Sequence, residues 1–421
     1  MKKITNAKIL TLDNSYDIFE GEIHIDGDSI CYIGEPVDGK FDEVIDAGGN
    51  LVMPSFKNAH THSAMTFLRS YADDLPLMDW LNKQVFPMEA KLTEEDVYVF
   101  TKLAVLEYLS SGITACFDMY MKLDSFAKAI IDTGFKAVIC SSLNDFGGSV
   151  EQTEEDFLKF NSLSPLVSYR LGIHAQYTTK LSTIKGIAKL CQKYKAPFWS
   201  HNSETEDETR SCFKRFFMTP TALFDTFGAY EYGGGGYHCV YLSDSDIEIF
   251  KKKGLWVVTN AGSNTKLASG IADITKLQKE GVNLAVGTDG AASNNALDMF
   301  REMHLITGLQ KLKYNDAAVC PAEEVLKMAT VGSAKAMGLD DCDVLAVGKK
   351  ADLIILDLHK PNMQPENNIV KNIVYSGSKQ NVKLTMINGK VLYRDGEYFL
   401  DESEEDIYTH ANRLASEIKV R

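Results

Sequence analysis

The segment NAHTH places His60 and His62 two residues apart at the end of an apolar run. In extended backbone that spacing aims both imidazoles to one side. A lone His-x-His is more often a surface or core coincidence than a metal site. Three further polar residues shift the balance: His201 ends the run APFWSH, His238 opens the run HCVYL within GYHCVYL, and Asp289 ends NLAVGTD. Each stands at the edge of an apolar, strand-like run. Three neutral imidazoles and one carboxylate suit one divalent ion, Zn2+ by donor type, and leave a position for a water whose acidity the ion raises. Iron(II) and manganese(II) accept the same donors. Glu204 follows His201 by three residues and can address the same cavity as an acid or base. With Glu206, Asp207 and Glu208 beside it, it can equally belong to a solvated acidic loop.

Side chains so far apart in sequence meet only if a repeated architecture brings strand ends together. Eight short apolar runs, at 51–60, 113–119, 135–143, 169–175, 196–201, 236–241, 255–260 and 282–289, alternate with polar or helical sequence. That pattern predicts an α/β fold, a (β/α)8 TIM-like barrel whose C-terminal strand ends form the active-site face. One helix is legible in detail. Thr93 and Asp96 have capping-box spacing, Leu92 and Val97 can staple the turn, and Val97, Phe100, Ala104 and Tyr108 form a buried stripe before Gly112. The four glycines 233–236 precede a strand rather than a helix, so they are no phosphate cradle and read as a flexible loop.

The chain ends read differently. Ala7–Leu12, Glu22–Ile25 and Ser29–Ile33 are short β segments, the last two joined across Asp26-Gly27-Asp28. At the far end, 351–357 is another, and LTMI and KVLY flank Asn388-Gly389, the signature of a two-residue hairpin. Neither piece alone buries a core, so the two are expected to pack as one smaller β-sandwich module, 1–53 with 344–421, around a barrel of 54–343. A last helix from about Glu404 carries Ile407, Ala411, Leu414 and Ile418 on one face.

The 421 residues are 45% hydrophobic and 24% charged, ordinary globular values for a chain that folds throughout. A net charge of -14 offers no broad basic field, so neither nucleic acid nor an anionic membrane is an expected partner. The start MKKITNAKILTLDNSYDIFEGEI lacks the unbroken apolar core of a signal peptide, and a cytoplasmic location is expected. The eight cysteines are scattered without a Cys-x-x-Cys pair and read as buried reduced thiols.

Taken together, NAHTH, HNSETEDE, the histidine of GYHCVYL and GTDGAASNN resemble the amidohydrolase superfamily, in its branch of adenosine, S-adenosylhomocysteine and methylthioadenosine deaminases and related chlorohydrolases. The likeness extends through MPSFKNAHTHSAMTFLRSYADDLPLMDWL, HAQYT, SNTKLASGIADI and VGKKADLIILD, nearly the whole chain. It implies a metal-dependent hydrolase that removes an amino group from a purine-like ring as ammonia. By that resemblance His60, His62, His201 and Asp289 bind the metal, and His238 contacts or orients the reactive water. Glu204 then shuttles its proton, and Asp289 also passes one to the departing ammonia. Relatives with two metals bridge them by a carboxylated lysine at the fourth strand; here that strand reads YRLGIHAQY, which implies one ion.

The resemblance also implies substrate contacts. Trp80 and Glu89 lie where the family places an aromatic wall and a carboxylate for ribose hydroxyls, although Trp80 serves equally well as a packing residue. His174 matches a histidine near the ring or ribose, its alternative being a satisfied barrel histidine. Ser293 and Asn294 shape the loop after Asp289. The loop SSLNDFGGSVEQTEEDF, where relatives can supply a cation for an amino-acid carboxylate, contains acids and no Arg or Lys. Adenosine, 5'-deoxyadenosine or methylthioadenosine is therefore expected over S-adenosylhomocysteine. NAGSN in place of Asn-Pro, and Gln176 in HAQYT, are smaller departures. The alternatives are a guanine-type or pterin-type deaminase or a triazine hydrolase on the same site, or a scaffold that has lost its metal. Relatives also imply a homo-oligomer.

Overall fold

The apolar run 51–60 is continuous in sequence, but the chain breaks strand geometry at Ser55, just after Pro54, and the break separates two sheets. Leu51–Pro54 pairs with the chain ends, whereas Phe56–Thr61 is the first barrel strand. The structure, a computed structural model, describes residues 1–75 and 77–421. Pro76, within the stretch MPSFKNAHTHSAMTFLRSYADDLPLMDWL, lies outside the described residues.

The N-terminal strands are β1 (Lys2–Leu10), β2 (Ile18–Asp26), β3 (Ser29–Gly34), β4 (Glu43–Asp46) and β5 (Leu51–Pro54). The barrel follows as β6 (Phe56–Thr61), β7 (Ile113–Asp118), β8 (Lys136–Cys140), β9 (Val167–Ala175), β10 (Phe198–Asn202), β11 (Gly234–His238), β12 (Trp256–Thr259) and β13 (Asn283–Val286). The C-terminal strands are β14 (Leu353–Leu356), β15 (Val382–Ile387), β16 (Lys390–Arg394) and β17 (Glu397–Tyr398). Both ends of the chain meet in one nine-stranded sheet of order β17-β16-β15-β14-β5-β1-β2-β3, with β4 beside β1. Asn388 and Gly389 both have positive φ, 49° and 72°, as the tight hairpin between β15 and β16 requires.

β6 to β13 run parallel in sequence order. The seam between first and last strands closes through Asn58: its Nδ2 donates to Thr288 Oγ1 at 2.7 Å, and its Oδ1 accepts from Thr288 N at 2.9 Å. Beyond it Asp289 N donates to His60 O at 2.9 Å, so closing the barrel sets Asp289 beside His60. The Thr93–Asp96 capping box forms at the start of the helix Glu94–Ser110, and Val97, Phe100, Ala104 and Tyr108 are buried as their spacing predicts. Ile407, Ala411, Leu414 and Ile418 are likewise the buried face of the helix Glu404–Val420.

The glycine run is a correction to the sequence reading. Gly234–Gly236 are not a loop but the body of β11, and His238 ends that strand instead of opening a run. A Cβ on Gly234 would stand 1.9 Å from Phe198 O, and one on Gly235 would meet the Trp199 ring at 2.7 Å. Only glycine lets β11 approach that closely. The room it leaves admits Trp199, which stacks on Tyr237 at 5.6 Å, and Tyr237 stacks on His60 at 3.8 Å. The barrel core thereby becomes the floor of the site. Of the eight cysteines, seven are buried and Cys31 is exposed.

A buried ion cluster pins the terminal sheet to the barrel floor. Asp352, beside β14, faces Lys136 Nζ at 2.8 Å and Lys57 Nζ at 3.9 Å, and it accepts from Asn388 N at 2.8 Å. Removing the acid leaves two buried ammonium groups without their counter-charge. Asp352→Ala is expected to cost about 3–5 kcal/mol in urea denaturation. A loss under about 1 kcal/mol would mean that water or another carboxylate compensates the lysines.

Candidate metal centre and active site

Five polar side chains converge at the C-terminal ends of the barrel strands. His60 and His62 come from the end of β6, whose register shifts between Asn58 and Thr61, and their rings lie 4.9 Å apart. His201 comes from β10, His238 from the end of β11, and Asp289 from the turn after β13. Donor atoms of His60, His201, His238 and Asp289 all lie within 4.8 Å of one another. His62 Nε2 is 3.1 Å from Asp289 Oδ1. His238 and Asp289 have φ of 67° and 61°, left-handed conformations that non-glycine residues hold only at a cost on the order of 1–3 kcal/mol each. The strain is held by hydrogen bonds, from His238 N to Asn260 Oδ1 and from Asp289 N to His60 O.

The donor atoms are aimed by their outer partners. His201 Nδ1–H donates to His174 O at 2.7 Å, His62 Nδ1–H to Met119 O, and His238 Nδ1–H to Asn264 Oδ1 at 2.8 Å. Each contact selects the tautomer whose Nε2 lone pair faces the centre. His60 is fully buried, and neither ring nitrogen has a hydrogen-bond partner among the described residues. Burial, reinforced by the charge of His62, holds His60 well below the usual imidazole range, and burial does the same for His201. Both are neutral and able to coordinate. Asp289 Oδ2 accepts from Ser263 Oγ at 2.6 Å and Ser293 Oγ at 2.7 Å, leaving Oδ1 toward the histidines. Burial would raise Asp289, yet the hydrogen bond and charge of His62 hold it well below the usual carboxylate range. Burial likewise opposes a charge on His62, and the Asp289 carboxylate overcomes it, lifting His62 to about 9. The cluster is thus built to hold positive charge, and a divalent cation would displace the His62 proton, leaving neutral imidazoles and one anionic carboxylate as its donors.

Glu204 is buried beside this centre and is not a solvated loop acid. Its Oε2 stands 4.0 Å from His238 Nε2, and its Oε1 accepts from Ser269 Oγ at 3.2 Å. Burial raises its carboxyl above the usual range. The acidic neighbours have different tasks: Glu208 Oε2 accepts from the backbone N–H of Glu204 at 2.8 Å, fixing the turn, whereas Glu206 and Asp207 are exposed.

The same cavity, about 110 Å³, is lined by Trp80, Glu89 and His174 as well as His62, His201, His238, Glu204 and Asp289. Trp80 is 5% exposed and reaches both the cavity and the core. Burial pushes Glu89 up to about 7 and His174 down to about 4. Past Glu89 and His174 the cavity adjoins an outer chamber of about 690 Å³. Phe86, Met121 and Phe146 give it apolar surface, Asp156 is its other acid, and no Lys or Arg is found in its lining among the described residues. Ser263, Asn264, Ser269 and Glu208 were not singled out by sequence reasoning. Their only advance signal is their place inside SNTKLASG and HNSETEDE.

The profile described as "Amidohydrolase family" matches residues 51–392. A 5-methylthioadenosine/S-adenosylhomocysteine deaminase of Caldicellulosiruptor saccharolyticus is 38% identical over 407 residues, covering 95% of each chain. A 5'-deoxyadenosine deaminase of Methanosarcina mazei is 37% identical over 427 residues, 99% of this chain and 98% of that one. A crystal structure of a zinc-bound adenosine deaminase from Xanthomonas campestris superposes with a TM-score of 0.95 at 29% identity, covering 100% of this chain and 99% of that chain.

Proposed function

Because this chain belongs to the amidohydrolase family, we propose that it hydrolyses the ring amino group of an adenosine-type nucleoside, taking up one water and releasing ammonia. The observation that carries this reading is the meeting of the His60–Asp289 cluster and buried Glu204 in one cavity with Trp80, Glu89 and His174. His60, His62, His201 and Asp289 hold one divalent cation, zinc by donor set. Bound there, the ion supplies a water acidic enough to act as nucleophile near neutral pH.

The remaining chemistry belongs to the side chains. Glu204, kept basic by burial, takes the proton of the attacking water and delivers it to the ring nitrogen. His238, its Nδ1 tied to Asn264, presents Nε2 to that water as a hydrogen-bonding partner. Asp289 takes up the second proton and passes it to the departing amine, with Ser263 and Ser293 holding its other oxygen. Trp80 walls the ring, Glu89 accepts from the two adjacent ribose hydroxyls, and His174, near the end of β9, reaches the nucleoside beside His201. We place the composite module at 1–54 and 344–421 beneath a catalytic barrel of 55–343, the boundary standing one residue later than the expected 53/54 because Pro54 belongs to β5 of the terminal sheet.

The outer chamber supports the substrate preference. A 5'-substituent leaving the ribose at Glu89 enters apolar surface and meets Asp156, with no Lys or Arg among the described lining residues to receive an amino-acid carboxylate. Ammonia release from a panel of adenosine, 5'-deoxyadenosine, methylthioadenosine, S-adenosylhomocysteine, guanine and aminotriazines tests both points. The best neutral nucleoside is expected to exceed S-adenosylhomocysteine in kcat/KM by about 10-fold or more, the worth of one missing charge-assisted hydrogen bond. Faster turnover of the homocysteine adduct would defeat the preference. Ammonia from guanine or a triazine alone would defeat the nucleoside assignment.

A further inference from the structure

Behind the site, on the helix Met299–Tyr314, Glu302 is completely buried and hydrogen-bonds none of the five converging side chains. Its two oxygens bridge the start of the short helix Ala261–Lys266 and the loop after β13. Oε2 accepts from Gly262 N at 3.0 Å, and Oε1 accepts from Asn294 Nδ2 at 2.8 Å. The fit is close: a Cβ on Gly262 would lie 2.4 Å from Glu302 Oε1 and 2.6 Å from Asn294 Nδ2. Glycine at 262 is what allows the start of the short helix to press onto the carboxylate.

Both segments act on the site directly. Immediately after Gly262, Ser263 donates to Asp289 Oδ2 and Asn264 accepts from His238 Nδ1. Asn294 also donates from Nδ2 to Thr288 O at 2.7 Å, the carbonyl preceding Asp289. We propose that Glu302 is a positioning residue that locks the start of the helix Ala261–Lys266 to the Thr288–Asn294 loop and thereby sets the aim of His238 and Asp289. The role rests on the metal-dependent reading of the site above.

The chemistry of the bridge requires a carboxylate. It faces two N–H donors, and the Asn294 amide cannot turn over, because its oxygen would then face Thr288 O. Gln at 302 would present an NH2 to one of those donors and break one arm while keeping shape and volume. In Glu302→Gln, the zinc dissociation constant, read by competition with a chromophoric chelator, is expected to rise about 10–100-fold. On the best nucleoside kcat is expected to fall by a similar factor with KM within about 2-fold, because Trp80, Glu89 and His174 are untouched.

Asn294→Ala removes one arm from the other side, and its effects should combine with those of Glu302→Gln less than additively. Zinc affinity within about 2-fold of wild type in Glu302→Gln, or full additivity in the pair, overturns the proposal. If Glu302→Gln does not fold, Asn294→Ala decides by the same zinc measurement: weakened affinity supports the bridge and unchanged affinity overturns it. The zinc readout needs no substrate, so failure of every nucleoside would refute the deaminase reading and leave this one standing or falling by itself.

Discussion

Replacing Glu204 with Gln is expected to lower kcat about 10³-fold while the protein still binds one zinc ion with near wild-type affinity. The separation follows from where the carboxyl sits. Glu204 is outside the group of donor atoms drawn together around His60, and its Oε2 stands 4.0 Å from His238 Nε2. It can reach a water held there without serving as a ligand. Gln keeps the length of the side chain and can still accept from Ser269 Oγ, which holds Glu204 Oε1 at 3.2 Å. What Gln lacks is a basic oxygen to take one proton and return it. Chelator titration and single-turnover assays on the same preparation check both halves. Wild-type turnover in the variant would remove Glu204 from the mechanism, and loss of zinc would make it a ligand.

The converging residues were legible in the sequence because of contrast. A histidine or aspartate at the edge of an apolar strand stands out, and eight such strands imply a common mouth at which their ends meet. Glu204 was harder, because three more acids follow within four residues. Only the structure separates buried Glu204 and Glu208 from exposed Glu206 and Asp207. The glycines of β11 were misread for a related reason: hydrophobic periodicity is carried by side chains, and a strand of glycines has none to display. Their requirement comes from across the sheet, from Phe198 O and the ring of Trp199. The break at Ser55 was hidden in the same way, since both halves of 51–60 are buried and differ only in the sheet they join.

The partners behind the ligands were illegible for another reason. Ser263, Asn264 and Ser269 look like ordinary loop polars, and each gains a role only from one hydrogen bond whose other end lies at least twenty-six positions away in sequence. Asn58 shows the opposite case. It sits inside the most visible motif, yet its task is to close the barrel onto Thr288 rather than to meet a ligand.

His60→Ala is expected to abolish stoichiometric zinc binding under conditions that saturate the wild type, and turnover with it. Of the converging histidines, His60 has the least to do apart from coordination. Its two ring nitrogens are buried and have no hydrogen-bond partner among the described residues, whereas His62, His201 and His238 each satisfy Nδ1 with a protein oxygen. An unpartnered buried imidazole costs on the order of 1–3 kcal/mol, a cost that coordination removes. Zinc affinity should therefore drop by more than the roughly 10–100-fold typical of losing an outer partner. Thermal stability gives an independent reading. Zinc at 100 times its dissociation constant stabilises the wild type by about 2.7 kcal/mol through linkage, and the same zinc should leave the variant's melting temperature nearly unmoved. With chelator present the two proteins should melt close together, because Ala relieves the stranded nitrogens while opening a gap beneath the stacked face of Tyr237. A variant that took up one equivalent of zinc and gained wild-type stability from it would show that the other four side chains suffice, and His60 would then be only the lid on Tyr237.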